Sequence, residues 1–277
     1  MTDPRSVFAV NTYSYMFRMS AAECIAHLAD RGWKAFEIML IPGHLWPADI
    51  DTGGRAALRR LVEARDLRIV SLNIPNVDLN VAGATQEMRA YTIDVLARAI
   101  ELAGDLGVEG VIVGPGKPNP LLPAPRAKLR ERYFAALDRL LPVARRAGTS
   151  IFAENMTVAY VPDADGLMQE LAAYGSDEIG VCYDVANAHF IGEDPAAGLR
   201  RVAERLRLVH LSDTTTAAYR HDPVGRGDVP FERIPPVLAE IGHGEMPMLE
   251  IIVDVPDADP VASGQLLLEM GWHRPHR

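Results

Sequence analysis

The chain has 277 residues, 48% of them hydrophobic and 23% charged, with a formal net charge of −9. This length allows one large α/β domain or two small ones. The acidic balance, with no Lys/Arg-rich run, argues against duplex nucleic acid as a partner, because neutralising phosphates needs a basic surface. No run approaches the ~18 apolar residues of a membrane span. The opening MTDPRSVFAV has no basic segment followed by a long apolar core, so the expectation is a cytoplasmic protein without membrane contact.

In chain order, residues 7–10 form a short apolar run that ends in Asn11, Thr12 and Tyr13. Ser20 caps a helix with Glu23 three residues on, a capping box, and Gly32 ends that helix. Residues 34–40 read as a second strand that contains Glu37, and the loop 41–53 carries His44 and Trp46 between prolines. An amphipathic helix over 55–64 leads to a third strand over 67–72, followed by Asn73, Pro75, Asn76, Asp78 and Asn80. A long helix at 86–106 closes on Gly107. Strand four, 110–113, runs into the loop GPGKPNP with Lys117. A second long helix, 127–147, precedes Gly148 and strand five, 150–153, which ends at Glu154 and Asn155. A helix around 164–173 leads to strand six, 179–183, ending at Asp184. A helix around 196–205 leads to strand seven, 206–211, with His210 near its end. Residues 231–241 are helical despite two prolines, which implies a start near Pro236 or a kink. Strand eight, 248–252, holds Glu250, and 261–270 is the last helix.

Eight short, apolar, β-branched strands, each followed by a helix, point to one (β/α)₈ barrel spanning residues 1–277. The competing doubly wound sheet usually announces itself with a glycine-rich turn after strand one. Here that turn is Asn11-Thr12-Tyr13, and no GxGxxG or Walker pattern occurs. Cys24 and Cys182 lie far apart without CxxC spacing and read as buried small apolar residues.

Chemistry concentrates at the strand ends, where a parallel barrel places its active site. Glu154, Asp184, His210 and Glu250 sit at the same point of four consecutive units. One imidazole and three carboxylates form a thiolate-free, oxygen-rich set. That set suits Mn²⁺, Mg²⁺, Co²⁺ or Zn²⁺ with open water positions. Three unpaired anions in a barrel mouth would otherwise repel or take up protons. Each residue also has a plainer reading: His210 as a bonded core histidine, Asp184 as a helix cap, Asp213 as a turn residue. A lone Glu in an apolar strand such as MLEII is harder to place that way, because burying it unpartnered is costly.

The segments AEN at 153–155, YDVANAHFIGEDP at 183–195, VHLSD at 209–213, RHDPVGRGDVPF at 220–231 and LEI at 249–251 occur in an order and spacing that resembles the xylose-isomerase-like superfamily of barrels. That superfamily includes sugar isomerases and epimerases, hydroxypyruvate isomerase, inosose-processing enzymes, a dehydratase branch and the apurinic endonucleases. The resemblance implies one divalent metal held by Glu154, Asp184, His210 and Glu250, with Glu154 and Glu250 also exchanging a proton with substrate. It further implies that Arg220 binds a substrate oxygen. Many members carry DxxH after the metal aspartate, but here that position is Asn187. In the endonucleases an aspartate stands two residues before the histidine matching His221, and here that position is Tyr219. A three-metal site would therefore lack two ligands, which argues against DNA repair.

The expected activity is isomerisation or epimerisation of a sugar or other hydroxy-carbonyl compound by glutamate-mediated proton transfer through a metal-stabilised enediolate. Dehydration is the alternative, should a β-hydroxyl leave. A barrel that binds a small molecule without turnover is the reading from a different class. The loops after strands one to four would supply Tyr13, Glu37, His44, Trp46, Asn73 and Lys117 to the substrate. Asn187 and His221 complete the expected contacts. Glu37 has a further reading as a barrel-interior carboxylate paired with an arginine or lysine, and Trp46 as a sugar-stacking or subunit-contact residue. The resemblance also implies a homo-oligomer, a dimer or tetramer.

Overall fold

The computed structural model describes residues 2–75, 78–254 and 256–273; Asn76 lies outside them. Eight parallel strands close into a barrel: β1 (Ala9–Asn11), β2 (Ala35–Met39), β3 (Arg68–Asn73), β4 (Gly110–Val113), β5 (Ser150–Glu154), β6 (Ile179–Asp184), β7 (Leu206–Leu211) and β10 (Met248–Leu249). The intervening helices are α1 (Ala21–Asp30), α2 (Thr52–Ala64), α3 (Gln86–Leu106), α4 (Arg126–Ala147), α5 (Ala164–Tyr174), α6 (Val185–Phe190), α7 (Pro195–Val202), α8 (Ile234–Glu240) and α9 (Asp259–Glu269). The architecture is the expected (β/α)₈ barrel. Among the described residues no helix is long and apolar enough to cross a membrane.

Local chemistry sets the helix boundaries. Ser20 and Glu23 form the expected capping box at α1. The α3 and α4 helices end at Gly107 and Gly148, whose φ values of 71° and 70° lie in the left-handed region that glycine enters without a Cβ clash. Several boundaries differ from the sequence reading. Residues 231–233 form a 3₁₀ turn before α8, because Pro235 and Pro236 are tolerated only in a first helical turn. The α7 helix stops at Val202, and β10 is only two residues long, so Glu250 stands just past the strand rather than within it. A hairpin that the strand–helix rhythm hides also follows β7. It pairs β8 (Asp213–Thr215) with β9 (Ala218–Asp222).

Strand periodicity explains how the site is placed. Alternate residues face opposite sides of a sheet. One residue from each barrel strand, Ala9, Ala35, Val70, Ile112, Phe152, Cys182, Leu208 and Met248, joins a separate buried cluster. The residues between them pack with the helices. Phe152 dominates this cluster, and its ring lies where a Cβ on the facing Gly110 would come within 2.4 Å. Two residues further along the same faces come Glu154, Asp184, His210 and Glu250. An apolar plug therefore closes the barrel directly beneath a polar layer.

Outside the barrel, the buried Glu170 of α5 joins α5 to α4. Its Oε1 accepts from Arg126 Nη2 at 2.8 Å and its Oε2 from Arg130 Nε at 2.6 Å. Burial pushes this carboxyl up, but the two guanidiniums outweigh it and hold the pKa below the ordinary value of 4.5. Glu170→Gln should cost about 2 kcal/mol, because the released arginines can turn to solvent. A depressed native pKa contributes stability above the unfolded value, and that contribution is lost as pH falls through the native one. The melting-temperature gap between wild type and variant should accordingly be full at pH 7 and shrink below pH 4.5. A gap independent of pH would mean that shape, not charge, holds this contact.

Candidate metal centre and active site

His210 sits on β7 between β6 and β10, in register with Asp184 on one side and Met248 on the other. Its Nε2 lies 3.2 Å from Glu37 Oε2. Its Nδ1 faces the other three carboxylates, 3.1 Å from Glu250 Oε2, 3.5 Å from Glu154 Oε1 and 3.9 Å from Asp184 Oδ2. One ligand atom from each of Glu154, Asp184, His210 and Glu250 lies within 4.8 Å of the others, and all four residues are buried.

Asp184 caps a helix with one oxygen and turns the other toward the cluster. Oδ1 caps α6 by accepting from the Asn187 backbone N–H at 2.8 Å. Oδ2 is buried without a hydrogen-bond partner and is directed at the same point as His210 Nδ1. Burial pushes Glu154 above the usual carboxyl range and Glu250 well above it, with the His210 charge opposing both shifts. Burial alone would depress His210, but Cys182, Glu37 and Glu250 around it raise its pKa well above the ordinary histidine value. The cluster thus gathers more negative charge than one imidazolium can balance, and it leaves a buried carboxylate oxygen unbonded. A divalent cation resolves both, and hard oxygens with one imidazole suit such an ion. Cys182 also stands close to Glu154 and His210. Burial pushes its thiol well above its usual pKa, and its side chain packs in the apolar plug.

Glu37 corrects the sequence reading. It does not line the cavity. It is fully buried behind His210, where Ser71 Oγ, at 2.5 Å, and Asn73 Nδ2, at 3.2 Å, donate to it. Asn11 Nδ2 donates to Glu37 at 2.5 Å and reaches Glu250 Oε1 at 3.3 Å. Burial opposes the Glu37 charge, but His210 and these donors overcome it and hold the carboxyl below its usual range. A carboxylate behind a ligating histidine fixes the ring's tautomer and orientation. Glu37→Gln should therefore weaken metal binding about 10- to 100-fold with the four ligands intact, as read by competition with a chromogenic chelator. Unchanged affinity would assign Glu37 to packing alone.

Above this layer opens a cavity of about 620 Å³. Of the sequence-predicted residues, Tyr13, Asn73, Lys117, Glu154, Asn187, His221 and Glu250 line it. Asn187 is buried with its side-chain oxygen unbonded. His221 Nδ1 lies 2.9 Å from Ser212 Oγ and 3.4 Å from Glu250 Oε2, and its Nε2 lies 3.0 Å from Tyr219 Oη.

Three other predicted contacts lie elsewhere. Arg220 falls between Tyr219 and His221 on β9, and strand alternation turns it outward to a neighbouring surface groove with Asp222 and Arg226. The loop after β2 folds outside the barrel rim, placing His44 and Trp46 in a groove against α1 and α2. There His44 is a strut, bonded at 2.6 Å to the Met19 carbonyl and at 3.1 Å to Thr12 Oγ1. Sequence reading also missed contributors. Asn11 and Ser71 sit on barrel strands and carry no motif of their own, and Ser212, within the VHLSD segment directly after β7, was given no role. Asp213, a candidate turn residue, accepts from the backbone N–H groups of Thr214, Gly225 and Val229 at 3.0, 2.8 and 3.2 Å and so secures the loop beyond the hairpin.

A family model described as xylose isomerase-like TIM barrel matches residues 25–269. An uncharacterized protein of Methanocaldococcus jannaschii is 26% identical over 235 residues, covering 81% of this chain and 76% of that protein. Fructoselysine 3-epimerase of Shigella flexneri is 19% identical over 241 residues, covering 85% and 86%. Among solved structures, a D-tagatose 3-epimerase-like protein superposes with a TM-score of 0.82 at 22% identity, covering 95% of this chain and 96% of that one.

Proposed function

The chain belongs to the xylose isomerase-like TIM-barrel family, and from that premise we propose that it is a divalent-metal-dependent isomerase or epimerase acting on a sugar or related hydroxy-carbonyl compound. The observation that carries this reading is the convergence of Glu154, Asp184, His210 and Glu250 beneath an open cavity, with two glutamates in position to serve as bases. The epimerases among the similar proteins support it. Mn²⁺ is the favoured ion, and it would supply Lewis-acid polarisation of the substrate's carbonyl and adjacent hydroxyl oxygens.

The chain's own residues supply the proton chemistry. Glu154 approaches from the end of β5 and Glu250 from the end of β10, on either side of the β6–β7 ligands. One glutamate removes the proton on carbon beside the carbonyl. Its return to the neighbouring carbon interconverts aldose and ketose. Delivery of a different proton to the opposite face of the same carbon, from the other glutamate in its protonated form, inverts the centre. A general base must lie within hydrogen-bonding reach of the proton it moves, and both carboxylates line the cavity floor. Asn187, whose side-chain oxygen has no partner, and His221, held by Ser212 and Tyr219, line the same space. Asn187 and Tyr219 occupy the positions where the endonuclease pattern needs further metal ligands, which favours the single-metal reading.

The test is solvent-deuterium incorporation. Metal-reconstituted protein should exchange the carbon-bound proton beside the carbonyl of at least one member of a ketose panel in D₂O, followed by proton NMR. Product analysis separates isomer, epimer and dehydrated compound. No exchange with any ketose, from protein holding one metal per chain, would count against the proposal.

A further inference from the structure

We propose that the substrate carries a sizeable apolar or aromatic group on its hydroxy-carbonyl unit, seated against the cavity's side wall; this rests on the function proposed above. The polar side chains that define the chemistry, Glu154, Glu250, Asn187, His221 and Asn73, are grouped at the floor of the cavity. The wall above them is built largely from Ile74, Pro75, Pro118, Met156, Val158 and Ile252, whose side chains offer no hydrogen-bonding nitrogen or oxygen. Lys117, Thr157 and the two tyrosines Tyr13 and Tyr219 add only scattered polar atoms to this wall. The cavity, at about 620 Å³, is in the range that accepts drug-sized ligands. A bare ketohexose fills a fraction of it, and each hydroxyl turned to the wall would lose its water without gaining a partner.

Large apolar side chains also stand exposed on the segments that carry this wall. Val158 is 58% exposed at the rim. On the loop that carries Pro118, Leu121 and Leu122 are 93% and 83% exposed. Apolar side chains contiguous with a polar catalytic floor mark a ligand groove rather than scattered surface residues. The prolines fix one part of this wall, while the Met156 thioether adapts to the shape of the occupant. A substrate with a small polyhydroxylated head and a hydrophobic appendage matches both zones.

The experiment compares affinities within matched pairs. Isothermal titration of the metal-loaded protein with D-fructose, D-tagatose and D-psicose is set against the 1-O-benzyl and 6-O-benzyl ether of each. At least one ether should bind about 30-fold more tightly than its parent, roughly 2 kcal/mol. Val158→Asp and Ile252→Asn, at exposed and half-buried positions that tolerate the change, should cut that ratio to about fivefold or less. Ethers that bind no better than their parents, including no binding by either, overturn the inference. Deuterium exchange by the parent ketoses is read separately, so failure of the substrate class and failure of the proposed reaction are distinguishable.

Discussion

Glu154→Gln and Glu250→Gln should each lower deuterium exchange at the substrate carbon by about 10³-fold, within the range that a positioned general base contributes. Both side chains are buried at the cavity floor, within 3.5 Å of His210 Nδ1. An amide keeps the shape and one acceptor oxygen but removes the basic lone pair and the charge. The fold should not suffer. The cluster concentrates carboxylates whose pKa values burial has already pushed up, so removing one charge relieves repulsion. The metal-free variants should melt at or above the wild-type temperature, the pattern of a site kept for activity at some cost in stability. A variant that retains full activity on a substrate turned over by the wild type would end the two-glutamate scheme. A variant that loses activity only because it unfolds would leave the glutamates as structural groups.

Chelation should abolish activity, and restoring Mn²⁺ should recover it. The same ion should raise the melting temperature, because a ligand that binds only the folded chain stabilises it by about 2.7 kcal/mol at a hundredfold excess over its dissociation constant. For a chain of this size that is roughly 5–10 °C. Asp184→Asn is the sharpest control. Its Oδ1 caps α6 and its Oδ2 is buried without a hydrogen bond. Asparagine retains a capping oxygen but loses the anionic ligand. The variant should fold, show little metal-dependent shift and bind well under one ion per chain by elemental analysis. A wild-type melting temperature indifferent to Mn²⁺, Mg²⁺, Co²⁺ and Zn²⁺ would overturn the metal centre.

The local rules that were readable in the sequence are those the structure follows most closely. A Ser–Glu capping box starts α1, and glycines in left-handed conformation end α3 and α4. The two-residue alternation that buries Phe152, Cys182, Leu208 and Met248 in the plug places Glu154, Asp184, His210 and Glu250 in the next layer. These features depend on periods of two and 3.6 residues and on the chemistry of single caps, which neighbouring residues carry between them.

What lies across the barrel or along its loops was decided by tertiary structure alone. Glu37 resembles any loop-proximal carboxylate until closure of the sheet sets it behind His210, 173 positions away along the chain. Asn11 joins Glu37 to Glu250 only because β1 seals the barrel between β2 and β10. Arg220 and His221 are adjacent in sequence, but the hairpin turns one outward and the other over the carboxylate cluster. His44 and Trp46 follow a loop that leaves the barrel mouth, and no local pattern specifies that path. The sequence by itself determined the strand–helix units, the (β/α)₈ barrel and the four residues at their strand ends, because each follows from short-range periodicity and backbone sterics. The tertiary structure decided which neighbours support them, which face of the hairpin looks inward and what lines the cavity, because contacts between distant segments exist only once the barrel has closed.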